Sequence, residues 1–379
     1  MPRSEEDLRA ARRALFDALP ISSDCLALMS FQRQVVEEIL QSEAERADSP
    51  VIGRHIHAVR SYGDCLAFQQ LSTYALRQLR RNSGKPPDLS GQGAAFKLPL
   101  DLCAAANEAG VPAILCDATN VLRTGDVVLC QDPDLPDIIE CKASQRAPDP
   151  RFLRQGRRGR QLARIEKVTE FLRTGEGRLF GDSRLRRTIE LKHVPQFDFA
   201  PVERMVSRAL NHEPCAEALN EYQVYVACIL GEEVDHGDLL RSWSVEEEEC
   251  VMIAAASEPL RDGWADIRPP AMWETSAECR WALMEGDVSL LHLVRANALV
   301  GIGRGDIKVV AAVPRPADVE ADTTWVYRLD VRDEPMFMSP SALYHMAYGH
   351  ETLESCRERM LETAEWTVKF HRSADEAEG

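Results

Sequence analysis

The sequence predicts a mixed α/β protein, α+β overall, with a helical N-terminal region, an α-β-β-β-α-β core and an α+β C-terminal region. Three observations predict it. Apolar residues recur at helical spacing before residue 84, and three short runs rich in Val, Ile and Leu lie between residues 112 and 144. After residue 195, strand-like runs alternate with helical ones. We therefore divide the 379 residues into parts 1–90, 91–195 and 196–379.

The first part is predicted to be helical because of its capping and its periodicity. Ser4 and Asp7 are spaced as a capping box, and apolar residues follow from Leu8 at helical spacing. Two further helices are predicted over residues 31–45 and 54–81. The stretch RRNSGKPPDLSGQG then interrupts the pattern with Pro and Gly.

The second part begins with a short predicted helix, LPLDLCAAANEAG, that ends at Gly110. Three predicted strands follow, in the segments PAILCDATNVL, GDVVLCQ and PDIIECKAS. An amphipathic helix is predicted in RRGRQLARIEKVTEFLRTG, with an apolar stripe of Leu162, Ile165, Val168 and Leu172 and a stop at Gly175. The segment RRTIELKHV completes the core as a strand.

The third part combines both kinds of element. Helices are predicted over residues 202–211, 215–220 and 341–369. Strands are predicted in YQVYVACIL, CVMIAAA, IKVVAAV and WVYRLDV, with GIGRGD as the turn before the third of them.

The composition indicates a cytoplasmic protein without a disulfide framework. Hydrophobic residues make up 45% and charged residues 28%, and no apolar run approaches the roughly 18 residues of a membrane span. The 11 cysteines are scattered without a CxxC pair. Several are predicted to be small buried residues: Cys116, Cys130, Cys141 and Cys228.

The charge is distributed unevenly along the chain. The net charge of −16 disfavours a nucleic-acid-binding surface that extends over the whole chain. Residues 142–192, however, contain 15 Lys and Arg against 6 Asp and Glu, a local charge of +9 that leaves −25 for the rest. Such asymmetry is typical of a localised site for a polyanion.

The candidate catalytic residues are Asp126, Glu140 and Lys142. Alternate side chains of a strand point to one side, so Glu140 and Lys142 are expected to project together. A hairpin with 13 intervening residues can bring Asp126 beside Glu140. Two carboxylates and the backbone carbonyl of Cys141 form a hard oxygen site suited to Mg²⁺ or Mn²⁺. The Lys142 ammonium can position a water molecule or stabilise charge on a phosphate.

This arrangement resembles the PD-(D/E)xK superfamily, the restriction-endonuclease-like nucleases, over about residues 95–195. The resemblance implies an αβββαβ core and metal-dependent hydrolysis of phosphodiester bonds. DNA is favoured over RNA as the substrate, and the family's association is with restriction or phage defence.

The resemblance also assigns roles to two helices. On the helix after the third strand it implies that Gln161 lies near the metal and that basic residues contact phosphates. Those basic residues are Arg157, Arg160 and Arg164. All four are expected to lie opposite the apolar stripe. On the first core helix it implies an acidic ligand, for which Glu108 is the nearest candidate and Asp101 the substitute.

Alternatives remain at this point. A second triplet, Glu190-Leu191-Lys192 with Asp182 upstream, carries the same residue types, but Asp182 stands in a Gly-flanked segment. The chain is alternatively a non-catalytic nucleic-acid-binding or assembly protein that retains the fold. It is alternatively an effector nuclease that a ligand or protein partner activates, with residues 196–379 serving recognition, regulation or dimerisation.

Overall fold

The computed structural model describes residues 3–20, 24–45, 49–80, 86–141, 157–177, 186–188, 191–213, 215–229, 243, 251–256, 267–317, 325–332 and 334–378. The chain is an α+β protein that divides into two compact units. Unit 1 comprises residues 1–188 and 259–272, and unit 2 comprises residues 189–258 and 273–379. The helical N-terminal part and residues 91–188 of the predicted core thus belong to the same unit, whereas residues 189–195 belong to unit 2. No helix within the described ranges is long and apolar enough to cross a membrane.

The helices of unit 1 begin where the sequence provides capping groups. Ser4 and Asp7 form the predicted capping box, with Asp7 N–H donating to Ser4 Oγ at 3.2 Å and Ser4 N–H donating to Asp7 Oδ2 at 2.9 Å. Helix bounds are α1 (Glu5–Ala18), α2 (Cys25–Ala44), α3 (Pro50–Gln70), α4 (Thr73–Arg80), α5 (Lys97–Glu108) and α6 (Arg157–Thr174). A 3-10 helix over Ser90–Phe96 leads into α5.

The single helix predicted over residues 54–81 is wrong, because the chain breaks between α3 and α4. Leu71 adopts extended backbone angles, φ −121° and ψ 145°. Ser72 Oγ then accepts the N–H of Ala75 at 3.2 Å, and Ser72 N–H donates to the carbonyl of Pro133 at 3.0 Å. The serine thus caps a new helix, which a continuous apolar stripe could not reveal.

An antiparallel sheet occupies the centre of unit 1. Its strands are β1 (Ala113–Leu115), β2 (Val127–Leu129) and β3 (Asp137–Ile139), in the order β1-β2-β3. One face carries Ile114, Val128 and Ile138 and packs against buried residues of α3, α4 and α6. On α6 the buried residues are Val168, Phe171 and Leu172. The three predicted strands are confirmed, although each is shorter than its apolar run.

The last strand of the predicted core takes a different place. β4 (Glu176–Gly177) pairs antiparallel with β5 (Arg186–Arg187), and among the described residues this pair forms a sheet of its own. Gly175, at φ 70°, ends α6 as predicted. The elements follow one another in the predicted order α-β-β-β-α-β, but this last pairing does not extend the central sheet.

Unit 2 contains two four-stranded sheets together with helices. Its helices are α7 (Ala200–Leu210), α8 (Ala277–Glu285), α9 (Ser341–Gly349) and α10 (Leu353–Glu378). One sheet has the order β6-β7-β9-β8, with β6 (Cys215–Asn220), β7 (Gln223–Ile229), β8 (Val251–Ala255) and β9 (Val288–Arg295). The other has the order β10-β11-β12-β13, with β10 (Gly303–Arg304), β11 (Ile307–Pro314), β12 (Trp325–Val331) and β13 (Glu334–Met338).

The helix predicted over residues 215–220 is wrong. This segment is β6, which pairs antiparallel with β7. Cys215 is buried while its neighbour Ala216 is exposed, so burial alternates as a strand requires. Pairing with an adjacent buried strand overrides the helix propensity of Ala, Glu and Leu. The predicted strands at β7, β8, β11 and β12 are confirmed.

The predicted C-terminal helix is interrupted at His350. This residue caps α9 in the left-handed conformation, with φ 57° and ψ 31°, and α10 begins three residues later. Left-handed backbone cannot continue a helix, so the chain turns here. The turn directs His350 into the interior of unit 2, where its side chain is 4% exposed.

Candidate active site

Three carboxylates gather at one end of the sheet in unit 1. Leu115, Val127 and Ile139 pair across the three strands as the last row of the ladder at this end. The residues one step further along the chain are Cys116, Asp126 and Glu140, and Asp117 follows Cys116. Asp126 directly precedes β2 and Glu140 directly follows β3, so both stand just beyond the last row of the ladder. The register thus places Asp126 and Glu140 directly beyond the last paired residues of adjacent strands, and the approach of their side chains stays a prediction.

Asp126 is fixed by hydrogen bonds to both neighbouring strands. Its N–H donates to the carbonyl of Ile139 at 2.8 Å, and its carbonyl accepts the N–H of Cys116 at 3.0 Å. Its carboxylate atom Oδ2 accepts the N–H of Cys141 at 2.5 Å. A charge-assisted bond of this kind restricts the carboxylate to one orientation. Asp126 thus fixes the backbone directly before Lys142, although Lys142 itself lies outside the described residues.

Gly125 is needed for this arrangement. It has φ +84°, a conformation that L side chains rarely adopt, and a Cβ at this position meets Ile138 Cγ2 at 2.5 Å. The glycine allows the chain to enter β2 in close contact with β3. Its sequence neighbour Asp126 consequently lies against the end of β3.

Asp117 is a further acidic residue of this cluster, and our sequence interpretation missed it. Gln92 Nε2 donates to Asp117 Oδ2 at 2.8 Å. Burial raises the pKa of Asp117, the bond from Gln92 and the charges of Arg60 and Arg123 oppose the rise, and the Glu140 charge adds to it. The apolar run AILC directly before Asp117 is the sequence signal that could have identified it, since a carboxylate after a buried strand lies at a sheet end.

Arg60 supports the same corner from α3. Its side chain is 5% exposed, and its Nε donates to the carbonyl of Asp117 at 3.1 Å. Its Nη2 donates to the carbonyl of Pro87 at 2.8 Å and lies 3.6 Å from Glu43 Oε1. The buried guanidinium therefore holds the backbone on which Asp117 stands.

Asp64, also from α3, holds the loop between β1 and β2. Its Oδ1 accepts the backbone N–H groups of Asn120 at 2.6 Å and Val121 at 2.9 Å, and its Oδ2 accepts Asn120 Nδ2 at 3.0 Å. Burial raises the pKa of Asp64, and these three donors oppose the rise. The bonds join residues more than 50 positions apart, so no local sequence pattern predicts them.

The polar side of α6 differs from the prediction. Gln161 and Arg164 precede Val168 by seven and four residues, so they lie on the same helix face as the buried Val168 and Phe171. They do not lie opposite the buried residues, which are centred on Val168, Phe171 and Leu172. Both side chains are half-buried, and burial lowers the pKa of Arg164. Arg160 is exposed, and the Arg157 side chain lies outside the described residues.

The remaining candidates lie elsewhere or are only partly described. Glu108 ends α5, which leads directly into the start of β1, so it lies at the opposite end of the sheet from Asp126, 3.9 Å from Arg33. Asp101 is exposed on α5. Glu190 and Asp182 of the rival triplet lie outside the described residues, and the backbone N–H of Lys192 donates to Glu362 at 2.5 Å in unit 2.

The predicted burial of the cysteines is confirmed except at Cys141. Cys116, Cys130 and Cys228 are buried, whereas Cys141 is only half-buried. Cys141 follows the last residue of β3 by two positions, where the sheet no longer covers it. The prediction that Cys141 is a buried residue is therefore wrong.

Comparisons of the chain with protein-family models, with curated proteins and with solved structures find no match. The function is therefore inferred from the site alone. Within the described residues, no group of three or more His, Cys, Asp or Glu side chains is arranged to hold a metal ion. Asp117, Asp126 and Glu140 nevertheless supply the hard oxygen donors that Mg²⁺ and Mn²⁺ prefer, and these ions usually retain water and substrate oxygens as further ligands.

Proposed function

We propose that the chain is a metal-dependent nuclease of the PD-(D/E)xK type that hydrolyses phosphodiester bonds, preferentially in DNA. One observation carries the proposal. Asp126 and Glu140 stand at one end of the sheet in unit 1, directly beyond the paired residues Val127 and Ile139 of adjacent antiparallel strands. Asp117 adds a third carboxyl group whose pKa is raised in part by Glu140.

The donor chemistry supports a divalent cation at this corner. The Glu140 charge contributes to the raised pKa of Asp117, and a cation near both carboxylates would offset their repulsion. Asp126, Glu140 and the Cys141 carbonyl are the groups that we propose to hold it. A Mg²⁺ or Mn²⁺ ion there supplies Lewis-acid polarisation of the scissile phosphate and activation of water.

The residues of the chain itself have distinct tasks in this proposal. Asp126, oriented by the Cys141 N–H at 2.5 Å, keeps its carboxylate directed at the end of β3. Lys142 follows Cys141 directly and is proposed to place its ammonium beside the reacting phosphate. On α6, Gln161 and Arg164 share the face that packs on this side of the sheet, where we propose that they contact the substrate backbone. Arg157 and Arg160 are proposed as further phosphate contacts.

The test is cleavage of plasmid DNA by the purified full-length chain in Mg²⁺, in Mn²⁺ and in EDTA, with single-stranded RNA as a second substrate. We expect metal-dependent cleavage of DNA. Asp126→Asn, Glu140→Gln and Lys142→Ala should each lower the rate by at least about 100-fold, since loss of even an outer-shell partner of a metal ligand costs about 10- to 100-fold.

Asp137→Asn is the matched control, because Asp137 is an exposed acid at the other end of β3. Its rate should equal that of the wild type. Glu190→Gln tests the rival triplet, and loss of cleavage in that variant alone transfers the site to Glu190. DNA binding without cleavage under every condition supports the non-catalytic alternative, and equal cleavage by all variants rejects the proposed site.

A further inference from the structure

Unit 2 contains a cleft of about 850 Å³, a volume within the usual range for small-molecule sites. It lies among the start of α7, the β6–β7 hairpin, β10 and the junction between α9 and α10. The residues on which its chemistry depends are Asp198, Arg204, Tyr225, His350, Glu354 and Arg357. The cleft belongs to unit 2 and shares no residue with the carboxylate site.

His350 forms a buried part of the cleft wall. Its ring stands edge-on to Trp273, with centroids 4.6 Å apart and an interplanar angle of 81°, and to Phe199 at 5.7 Å and 65°. Its backbone N–H donates to the carbonyl of His345 and caps α9. Aromatic packing and the capped turn thus give the imidazole a fixed position.

The hydrogen bond from Tyr225 determines which nitrogen of His350 carries the proton. Tyr225 Oη lies 2.6 Å from His350 Nδ1. Burial raises the pKa of Tyr225 and lowers that of His350 well below its usual value, so both groups are neutral at pH 7. If Nδ1 donated to the phenol oxygen, both the phenol proton and the Nε2 lone pair would lack a partner. Donation from the phenol to Nδ1 leaves one group to be satisfied, the Nε2–H.

That Nε2–H is buried and has no partner among the described residues. A buried donor without a partner is destabilising, and a ligand that accepts its hydrogen bond removes that cost. The atom is therefore a buried, unpaired donor of a residue that lines a cleft large enough for a ligand.

Neighbouring polar groups are held by bonds to one another. Asn220 Nδ2 donates to Gln223 Oε1 at 2.8 Å, and Gln223 Nε2 lies 3.4 Å from His292 Nε2. His292 Nδ1 donates to the carbonyl of Ala347 at 3.0 Å, and its ring stacks on Tyr225 with centroids 4.0 Å apart. These contacts fix the wall behind Tyr225 and His350 before any ligand binds.

The charges of the cleft disfavour an anionic ligand. Its acidic residues outnumber its arginines by four to two, and they are Asp198, Glu351, Glu354 and Glu358. Arg204 pairs with Glu217 at 2.6 Å. Arg357 donates through both Nε and Nη2 to the carbonyl of Ala298 at 3.1 Å. Glu351 pairs with Arg359 at 2.9 Å and Glu358 pairs with Arg304. A phosphate group would therefore meet the carboxylates of Asp198 and Glu354 beside two arginines that are already engaged.

We propose that this cleft binds an uncharged, nucleoside-sized ligand that accepts a hydrogen bond from His350 Nε2 and donates hydroxyl or amino protons to Asp198 and Glu354. A nucleoside has ring nitrogens or carbonyls as acceptors and sugar hydroxyls as donors, and it lacks the phosphate that the acidic lining opposes. The proposal does not depend on nuclease activity.

The experiment is isothermal titration of the full-length chain with adenosine, guanosine, cytidine and uridine, and with their 5′-monophosphates. At least one nucleoside should bind, and its 5′-monophosphate should bind at least about tenfold more weakly. His350→Phe retains a ring but removes the donor, and it should weaken binding about tenfold or more. Tyr225→Phe should also weaken binding, because Nδ1 loses the donor that keeps the proton on Nε2.

The matched control is His212→Phe. His212 is exposed, has φ 59° close to the 57° of His350, and does not line the cleft, so it reports the effect of replacing a histidine in this backbone conformation. It should bind the nucleoside as the wild type does. Circular dichroism establishes that each variant is folded. If His350→Phe fails to fold, Tyr225→Phe decides the role of Nε2. Absence of binding by all four nucleosides, tighter binding of a monophosphate, or unchanged binding by the folded His350→Phe and Tyr225→Phe variants overturns the proposal.

Discussion

Replacing Gly63 with Ala is expected to destabilise unit 1 and to disturb the candidate active site. Gly63 lies in α3, and a Cβ at this position stands 2.1 Å from the carbonyl oxygen of Ala118 and 3.0 Å from its carbonyl carbon. These are backbone atoms and cannot rotate away. Ala118 directly follows Asp117. A displacement of Ala118 that relieves the clash therefore also moves the backbone of Asp117.

The magnitude follows from two opposing effects. Non-bonded heavy atoms are in favourable contact at roughly 3.5 Å, so α3 and Ala118 must separate by more than about 1 Å. Overpacking of this kind costs about 1–3 kcal/mol, and sometimes more. Ala is favoured over Gly inside a helix by about 1 kcal/mol. The net loss of unfolding free energy for Gly63→Ala is therefore as much as about 2 kcal/mol.

Gly53→Ala provides the internal reference. Gly53 lies in the same helix, and a Cβ there meets nothing within 4 Å. This variant should gain about 0.5–1 kcal/mol from helix propensity alone. Because the propensity term cancels between the two variants, their difference of about 1–3 kcal/mol measures the clash itself.

The assay is urea unfolding followed by circular dichroism, together with the cleavage assay in Mg²⁺. Gly63→Ala should unfold at lower urea than the wild type and cleave more slowly, and Gly53→Ala should unfold at equal or higher urea and cleave normally. Equal stability of the two variants would refute the close approach of α3 to Ala118. Loss of stability with normal cleavage would instead show that a disturbance at Ala118 does not reach the active site.

Three further predictions concern Gly125 and Asp117 at the end of the sheet in unit 1, and His292 in unit 2. Gly125→Ala should lose more stability than Gly110→Ala. Both glycines have φ near +80°, but only at Gly125 does a Cβ meet Ile138 at 2.5 Å, and equal urea midpoints would contradict this. Asp117→Asn should flatten the pH dependence of cleavage. The pKa of Asp117 is raised, so the wild-type rate falls as pH is lowered through that pKa, and superimposable pH–rate profiles would exclude its participation. Burial lowers the pKa of His292 to about 4 from 6.5. The unfolded state therefore binds a proton first, and unfolding free energy should fall by about 3 kcal/mol as pH drops from 6.5 to 4. His292→Gln should reduce this slope in urea unfolding followed by tryptophan fluorescence, and an unchanged slope would contradict the assignment.

The sequence predicted well those features that are encoded locally. Ser4 and Asp7 form the capping box that their spacing indicated. The two glycines that were predicted to end helices, Gly110 and Gly175, both have positive φ. The order of elements from α5 to α6 follows from apolar periodicity and turn residues, and the pairing of adjacent strands then places Asp126 and Glu140 at the same end of the sheet.

Predictions failed where distant partners decide the local structure. Residues 215–220 have helix-forming composition, but β7 recruits them as a strand. Ser72 interrupts an apolar stripe through its bond to Pro133. The buried face of α6 is centred on Val168, Phe171 and Leu172 because the sheet and α4 cover that side, so Gln161 and Arg164 fall on the covered face.

What the sequence by itself determined is the α+β class, most element positions, and the placement of Asp126 and Glu140 at the same end of adjacent strands. These follow from periods of 3.6 and 2 residues and from turn chemistry, which act over a few positions. Only the tertiary structure decided that Asp117 joins them, that Asp64 and Arg60 hold its loop from α3, and that His350 lines a cleft. The reason is physical, because buried polar groups must find partners wherever the chain brings them. The bonds of Asp64 to Asn120 and of Arg60 to Asp117 each join residues more than 50 positions apart in sequence.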